Sequence, residues 1–273
     1  MQALKTAIGR AMATSGPVVF LTGAGVSAES NIPTFRGEEG YWRSGSKNYH
    51  PQELATRQAF ALIPEVVWSW YLWRLAVCNA AQPNAAHHAI ARAAEALGER
   101  VLLITQNVDG LHRRAGSPPR GTYEVHGNIA WMRCSRGCPG LVPVPALPEH
   151  PRELSELSVE ERAALVCPRC AARARPHVLW FDETYDEPLF RFESSLRAAS
   201  DAALLVVVGT TGTTNLPLQI GRRAAERGIP MLVINPEPNP FSEMAERLPH
   251  GIFLRGTAGQ WVPEVLDVMA RVR

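Results

Sequence analysis

Residues 17–37, PVVFLTGAGVSAESNIPTFRG, decide the fold. Val18 to Leu21 form an uninterrupted apolar run that reads as a strand buried on both faces, and it empties into Gly23-Ala24-Gly25. Gly23, Gly25 and Ala28 match the G-x-G-x-x-G/A pattern, in which small residues let backbone N–H groups approach a pyrophosphate closely. That pattern normally continues into a helix, a second strand and, about 20 positions on, an acidic residue that holds a ribose. Here Asn31-Ile32-Pro33-Thr34-Phe35-Arg36-Gly37 intervenes, and a polar stretch containing Pro33 is no central strand. Taken alone, the glycines fit a nucleotide site and a tight strand-to-helix turn that holds nothing.

Three further apolar runs, residues 101–105, 204–209 and 231–235, read as strands of the same kind, and helical segments separate them. Asn84 is placed to cap a helix in which Ile90, Ala93, Ala94 and Leu97 recur at helical spacing before Gly98 stops it. Residues 218–227 read likewise, ending at Gly228, and residues 261–273 read as a closing helix. The alternation predicts a doubly wound parallel α/β sheet. Two stretches interrupt it: residues 37–82 are aromatic and helical, and residues 133–176 hold four cysteines around a Pro-, Glu- and Arg-rich middle. The expected organisation is a large domain from residues 1–38, 83–132 and 177–273, a smaller lobe from residues 39–82 and 133–176, and a ligand cleft between them.

A chain of 273 residues, 46% hydrophobic, can bury an ordinary core without staples. Its net charge of +2 is spread without a dense Lys/Arg run, which gives no footprint for nucleic acid or an anionic membrane. The first residues place Leu4, Ala7, Ile8, Ala11 and Met12 on one helical face and carry Lys5 and Arg10 without an acid, as a weak organellar presequence would. They run straight into the first strand, however, and lack the apolar core of a secretory signal. No apolar run approaches the ~18 residues of a membrane span. The expectation is a soluble cytoplasmic protein, monomeric or weakly oligomeric.

Cys134-x3-Cys138 and Cys167-x2-Cys170, with 28 residues between the pairs, have the spacing of a four-thiolate zinc ribbon. Two disulfides are disfavoured in a cytoplasmic chain. Four thiolates leave no open coordination position, so one Zn2+ here is structural and clamps the small lobe. Cys78, on an apolar helix, reads as a small core residue.

Directly after the second strand comes Thr105-Gln106-Asn107-Val108-Asp109-Gly110-Leu111-His112, and His126 follows 14 residues beyond His112. Residues at the carboxyl end of a parallel strand face the ligand crevice. Asn107 and Asp109 can together satisfy the donor and acceptor ends of a carboxamide, the group that nicotinamide presents. His126, with an unperturbed pKa of ~6.5, can take a proton near neutrality. Each of these residues taken singly also fits an Asx turn or a hydrogen-bonded core histidine.

TGAGVSAESNIPTFRG, TQNVDGLH, VHGN, the split cysteine pairs, RPHVLWF, VVVGTTGTT and VINPE together resemble, in content and order, the motifs of the sirtuins, NAD-dependent protein-lysine deacylases. The resemblance runs from about Val18 to about Pro263 and implies a Rossmann-like NAD-binding domain. It implies that Gly23, Ala24, Gly25 and Ser27 cradle the pyrophosphate and that Phe35 and Arg36 lie on a mobile cofactor loop. Gln106, Asn107 and Asp109 would line the nicotinamide and ribose pocket. Gly209, Thr210, Thr211, Asn235, Glu237 and Ala258 would bind the adenosine half. His126 would be the general base, with Asn107 beside it, in a reaction that consumes NAD and an acylated lysine and releases nicotinamide, deacylated lysine and O-acyl-ADP-ribose.

Tyr71 and Arg74, three apart on a predicted helix, put a phenol and a guanidinium on one face, a pairing suited to a carboxylate. They resemble the Tyr-x-x-Arg pair of the sirtuin class that removes succinyl, malonyl and glutaryl groups, and Ala55 falls where that class keeps a small residue. The bland alternative has both side chains packing and snorkelling at the lobe's surface. Val178, Trp180 and Phe181 belong to a segment, residues 178–181, that resembles the strand pairing with the substrate peptide. Three departures from the family pattern stand out: the three-residue gap in the first cysteine pair, Thr211 in place of Ser, and Asp182 in place of Gly, a carboxylate that could repel acidic peptides. Rival readings are an ADP-ribosyltransferase or NAD hydrolase on the same fold, and a non-catalytic nucleotide-sensing zinc-ribbon module.

Overall fold

The computed structural model describes residues 1–33, 50–147 and 156–272. Six parallel strands form the main sheet in the order β3-β2-β1-β7-β8-β9, where β1 is Val18–Thr22, β2 Val101–Thr105, β3 Thr122–Glu124, β7 Leu204–Val208, β8 Met231–Asn235 and β9 Ile252–Arg255. Every residue of β1 and β7 is buried, as continuous aliphatic runs require when helices cover both faces. The four strands expected from sequence are present within a residue of their expected ends. The two edge strands are not apparent in the sequence, because β3 is three half-buried residues and β9 is partly exposed.

One face of the sheet is covered by the helices Gln2–Met12, Ala85–Leu97 and Ala258–Arg271, which pack Leu4, Ile8, Ile90, Val262 and Val265 against Val18, Phe20 and Val206. The amino-terminal helix is thus part of the core. The other face is covered by Asn215–Glu226 and Pro240–Glu246, with Leu216, Ile220 and Phe241 packed on Val19, Leu21 and Val207. Each fully buried Leu, Ile or Phe contributes roughly 1.5–3 kcal/mol, which makes these two layers the bulk of the driving force.

A second, antiparallel sheet has the order β5-β4-β6, from Gly127–Cys134 (β4), Leu141–Pro143 (β5) and Ala174–Val178 (β6). Strands β4 and β6 run across the lobe boundaries expected at residues 132 and 176. With the helices Arg57–Leu62 and Pro64–Ala80 they enclose a separate core rich in aromatics, including Phe60, Trp68, Trp70, Tyr71 and Trp180. No helix among the described residues is long and apolar enough to cross a membrane.

Candidate active site

The strand order reverses between β1 and β7, and the segments leaving their carboxyl ends meet there. Gly25 donates its N–H to the Gly209 carbonyl at 2.7 Å, and Gly23 donates to the Val208 carbonyl at 3.0 Å. A side chain on Gly25 would lie 2.7 Å from the Gly209 Cα, and one on Gly209, whose φ is +60°, would lie 2.4 Å from the Val26 nitrogen. This corrects the physical reason for the glycines. The N–H groups of Gly23 and Gly25 are bonded to the end of β7 and to Gly209 just beyond it, and the absent side chains let the two backbones touch. Residues Ala24–Ser30 then form a 3-10 helix ended by Asn31 in the left-handed conformation. Phe35 and Arg36, expected on the cofactor loop, lie outside the described residues.

Ser27, completely buried, is the centre of the polar network behind this turn. Its hydroxyl donates to Asp109 Oδ2 at 2.8 Å and accepts from Asn107 Nδ2 at 2.9 Å. His87 Nδ1 accepts the Asn84 N–H, so its hydrogen sits on Nε2 and points to Ser27 Oγ at 3.3 Å. The other oxygen of Asp109 accepts from the Leu111 amide at 2.9 Å. Burial pushes the Asp109 carboxyl up, opposed by the Leu111 amide, the Ser27 hydroxyl and the Arg74 charge. Asp109 thus makes the local turn contact and the shared network at once, and the Asn107 side chain joins the network through Ser27. Thr22 donates to Thr105 at 2.9 Å and accepts from His112 Nε2 at 3.0 Å, and the His87 and His112 rings meet edge to face at 4.6 Å. Burial lowers both histidines, His87 to about 4.

Gln106 ties three strand ends together. Its side-chain amide donates to the Thr22 carbonyl and to Thr210 Oγ1, its Oε1 accepts from Thr214, and its backbone carbonyl lies 2.9 Å from His126 Nδ1. A carbonyl only accepts, so Nδ1 carries the hydrogen and the lone pair of His126 is at Nε2. The residue is half-buried, and burial of the imidazole lowers its pKa to about 4, against a smaller opposing pull from Gln106. The imidazole is therefore neutral at neutral pH and able to accept a proton. Farther along the sheet, Thr211 is exposed, Asn235 Nδ2 donates to the Glu237 carbonyl at 2.7 Å, and Ala258 opens the last helix.

Residue 179 links this cluster to the small lobe. The Leu179 amide donates to the His126 carbonyl at 2.9 Å, and the adjacent Trp180 donates its indole N–H to Tyr71 OH at 2.9 Å. Tyr71 and Arg74 are both buried, and the Arg74 guanidinium lies 4.7 Å over the Trp70 ring, so neither snorkels at a surface. Burial raises Tyr71 to about 12, which keeps the phenol protonated. Of residues 178–181 only Val178 is in a strand, paired inside the chain with Gly127; Phe181, although exposed, donates its amide to the Ala55 carbonyl at 3.0 Å. Asp182 does not stand free before a peptide: Oδ1 accepts from the Arg57 amide at 2.8 Å and Oδ2 from the Gln58 amide at 3.2 Å, capping the Arg57–Leu62 helix.

The four cysteine sulfurs lie within 4.8 Å of one another, and the backbone amides of Arg136 and Arg169 point at the sulfurs of Cys134 and Cys167. Cys134, Cys138, Cys167 and Cys170 are positioned to hold one zinc ion, and a donor set of four thiolates fits a closed tetrahedral site. Cys78 is buried apart from them, its thiol pushed by burial to about 12. Two site neighbours escape the sequence motifs. His87 was detectable as the third residue of a helix capped by Asn84, where it completes a capping box. Tyr185, whose hydroxyl lies 2.8 Å from His126 Nε2, carries no such signal.

A model of the Sir2 family matches residues 23–215. The chain is 39% identical over 249 residues to the NAD-dependent protein deacylase of Leptospira interrogans, covering 90% of each. It is 41% identical over 260 residues to NAD-dependent protein deacylase 2 of Pyrobaculum aerophilum, covering 95% of this chain and 94% of the relative. It is similar to the solved structure of a Sir2 homolog–NAD complex, with a TM-score of 0.79 and 35% identity over 98% of this chain and 95% of the other. With a family model spanning most of its length and relatives near 40% identity end to end, the chain belongs to the Sir2 family.

Proposed function

We propose that this protein is an NAD-dependent protein-lysine deacylase that removes acidic acyl groups (succinyl, malonyl and glutaryl) and, less selectively, acetyl. The deacylase reading rests on family membership and on relatives named for that activity. The acyl preference rests on one observation, the buried Tyr71–Arg74 pair at the end of the short path His126–Leu179–Trp180–Tyr71. NAD lies on the large domain, residues 1–38, 83–132 and 177–273, and the acyl chain enters from the lobe of residues 39–82 and 133–176.

When bound, NAD supplies an electrophilic ribose carbon and nicotinamide as leaving group. The buried donors and acceptors around Ser27 fit it, since Asn107 and Asp109 present both hydrogen-bonding types at the carboxyl end of β2. Gly23, Ala24, Gly25 and Ser27 lie under the pyrophosphate. Gly209, Thr210, Thr211, Asn235, Glu237 and Ala258 lie along the adenosine half. His126 accepts the proton of a substrate hydroxyl at Nε2, held in the right tautomer by Gln106. Tyr71 receives the Trp180 N–H on its oxygen and keeps its own hydrogen to donate, while Arg74 supplies charge, so the pair meets an acyl carboxylate as donors only. Ala55 leaves room beside them, and Val178, Trp180 and Phe181 border the lysine. The zinc held by the four cysteines takes no part in the chemistry.

Purified protein with NAD and one peptide bearing acetyl-, malonyl-, succinyl- or glutaryl-lysine tests the reading. Tyr71→Phe with Arg74→Met is expected to abolish turnover of the acidic acyl groups and spare part of the acetyl activity. Equal loss on all four peptides overturns the acyl assignment, and nicotinamide release that does not require an acylated peptide overturns the deacylase reading. His126→Ala should stop turnover of every peptide and leave NAD binding intact.

A further inference from the structure

Tyr185 lies outside every stretch that carries the family resemblance, yet its hydroxyl lies 2.8 Å from the reactive nitrogen of His126. Its position is built, not incidental. The ring stacks on Phe192 at 6.0 Å and lies tilted against His126 at 5.8 Å, and the chain on either side is pinned by the turn from Glu183 to Trp180 and by Asp186, which caps the helix Glu187–Phe190. Burial raises the phenol to about 12, so it stays protonated and remains a donor.

The tautomer set by Gln106 leaves the neutral imidazole a single lone pair, at Nε2. That lone pair cannot accept from Tyr185 and from a substrate hydroxyl at once. We propose that Tyr185 is a positioning residue that occupies the base in the free enzyme: its hydroxyl stands where the substrate hydroxyl will stand, and substrate binding displaces it. This rests on the reading of His126 as the base. In the step itself the substrate O–H bond breaks, its electron pair stays on oxygen, and the N–H bond forms at Nε2; Tyr185 neither gains nor loses a proton.

A hydroxyl that donates into Nε2 favours the neutral ring, so removing it raises the proton affinity of His126 in the free enzyme. Among the described residues, the nearby titratable groups have other partners. Glu124 accepts from Asn128, Asp109 from Ser27, Glu183 from Arg175 and Asp186 from the Leu189 amide, and His177 is stacked on Phe190. None of them is among the causes that shift His126.

The test is Tyr185→Phe, which keeps the ring and removes the donor. The acid limb of kcat/KM, which reports the free enzyme, is expected to move up by roughly half to one pH unit, the scale of one hydrogen bond made to a single protonation state. The acid limb of kcat should stay in place, because Tyr185 has already left the base in the complex, and KM should fall a few-fold with kcat little changed. Nitrogen NMR of the His126 ring in the free protein should show the same upward shift. Both limbs moving together overturns the proposal, since Tyr185 would then remain bonded through the reaction; no shift in either limb or in the NMR titration overturns it as well. The base reading fails separately, by deacylation surviving His126→Ala. A ring titration that shifts while that variant stays active leaves the contact without a part in turnover, and also overturns the proposal.

Discussion

The carboxyl edge of the six-stranded sheet and the core of the small lobe hold their polar groups in opposite ways. At the sheet edge the groups are small, and each meets a neighbour of its own kind: Thr22 with Thr105, Ser27 with Asn107 and Asp109, Gln106 with Thr210 and Thr214. Strand backbones in fixed register place these residues, so the network needs no large side chain to position it. In the lobe the polar groups sit at the tips of long or aromatic side chains that hold one another by stacking. Arg175 lies 3.4 Å over Trp180 and pairs with Glu183 at 2.9 Å, Arg74 lies over Trp70, and Trp180 bonds Tyr71 across 109 residues of sequence. A site fixed by backbone register should tolerate loss of a distant clamp, and one fixed by side-chain packing should not.

Metal removal would break that contrast most strongly. The free energy of a four-thiolate zinc site is of order 10 kcal/mol, comparable to the stability of a whole domain. Exchanging Cys167 for Ser, or stripping the ion with a chelator, is expected to abolish deacylation and release the amides of β4 and β6 to rapid hydrogen exchange. The amides of β1, β7 and β8 should stay protected. Uniform loss of protection through both sheets would show that the lobe and the large sheet unfold as one unit, and the contrast would fail. Without the clamp, Trp180 loses the strand that places it under Tyr71, which is why activity goes even though the polar edge of the sheet persists.

Gly209→Ala makes the converse cut. The added methyl group would stand 2.4 Å from the Val26 nitrogen at a residue whose φ of +60° already disfavours a side chain, so the β1–β7 junction must open. The expected cost is about 3 kcal/mol or more, read as a lower urea midpoint with unchanged zinc content. A variant as stable as the parent would mean that the turn has slack that the backbone contact denies.

The parallel sheet was legible because its message is local: an apolar run, a glycine or an amide at its end, and the fold brings the ends together. Asn107 and Asp109 follow the end of β2, and their convergence on Ser27 needed only the topology; His126 follows β3, which the sequence does not reveal. What the motifs left out depends on contacts between distant segments. Tyr185 reaches His126 from a turn after the small sheet, and Asp182 finds its partners 125 and 124 residues away. Of residues 178–181 only Val178 lies in a strand, for the same reason. After Val178 the backbone turns to bond the carbonyls of His126 and Ala55, which no periodicity records.

The smallest effect, and the sharpest for the lobe, belongs to Asp182. Read alone, a carboxylate in the segment that borders the substrate predicts weaker binding of acidic peptides. In the fold both its oxygens face the first amides of the Arg57–Leu62 helix, where a negative charge is favoured by the helix dipole and is partly neutralised by it. Thr56 already caps the third position of that helix through Ala59, so Asp182 serves the amides Thr56 leaves open. Asp182→Ala is therefore expected to cost about 1 kcal/mol in stability, the usual loss of a helix cap, with KM for acidic and basic peptides changing by the same small factor. A KM that falls for acidic peptides alone would show that the charge reaches the substrate despite its two amide partners, and that side chains in the lobe serve the helix and the peptide together.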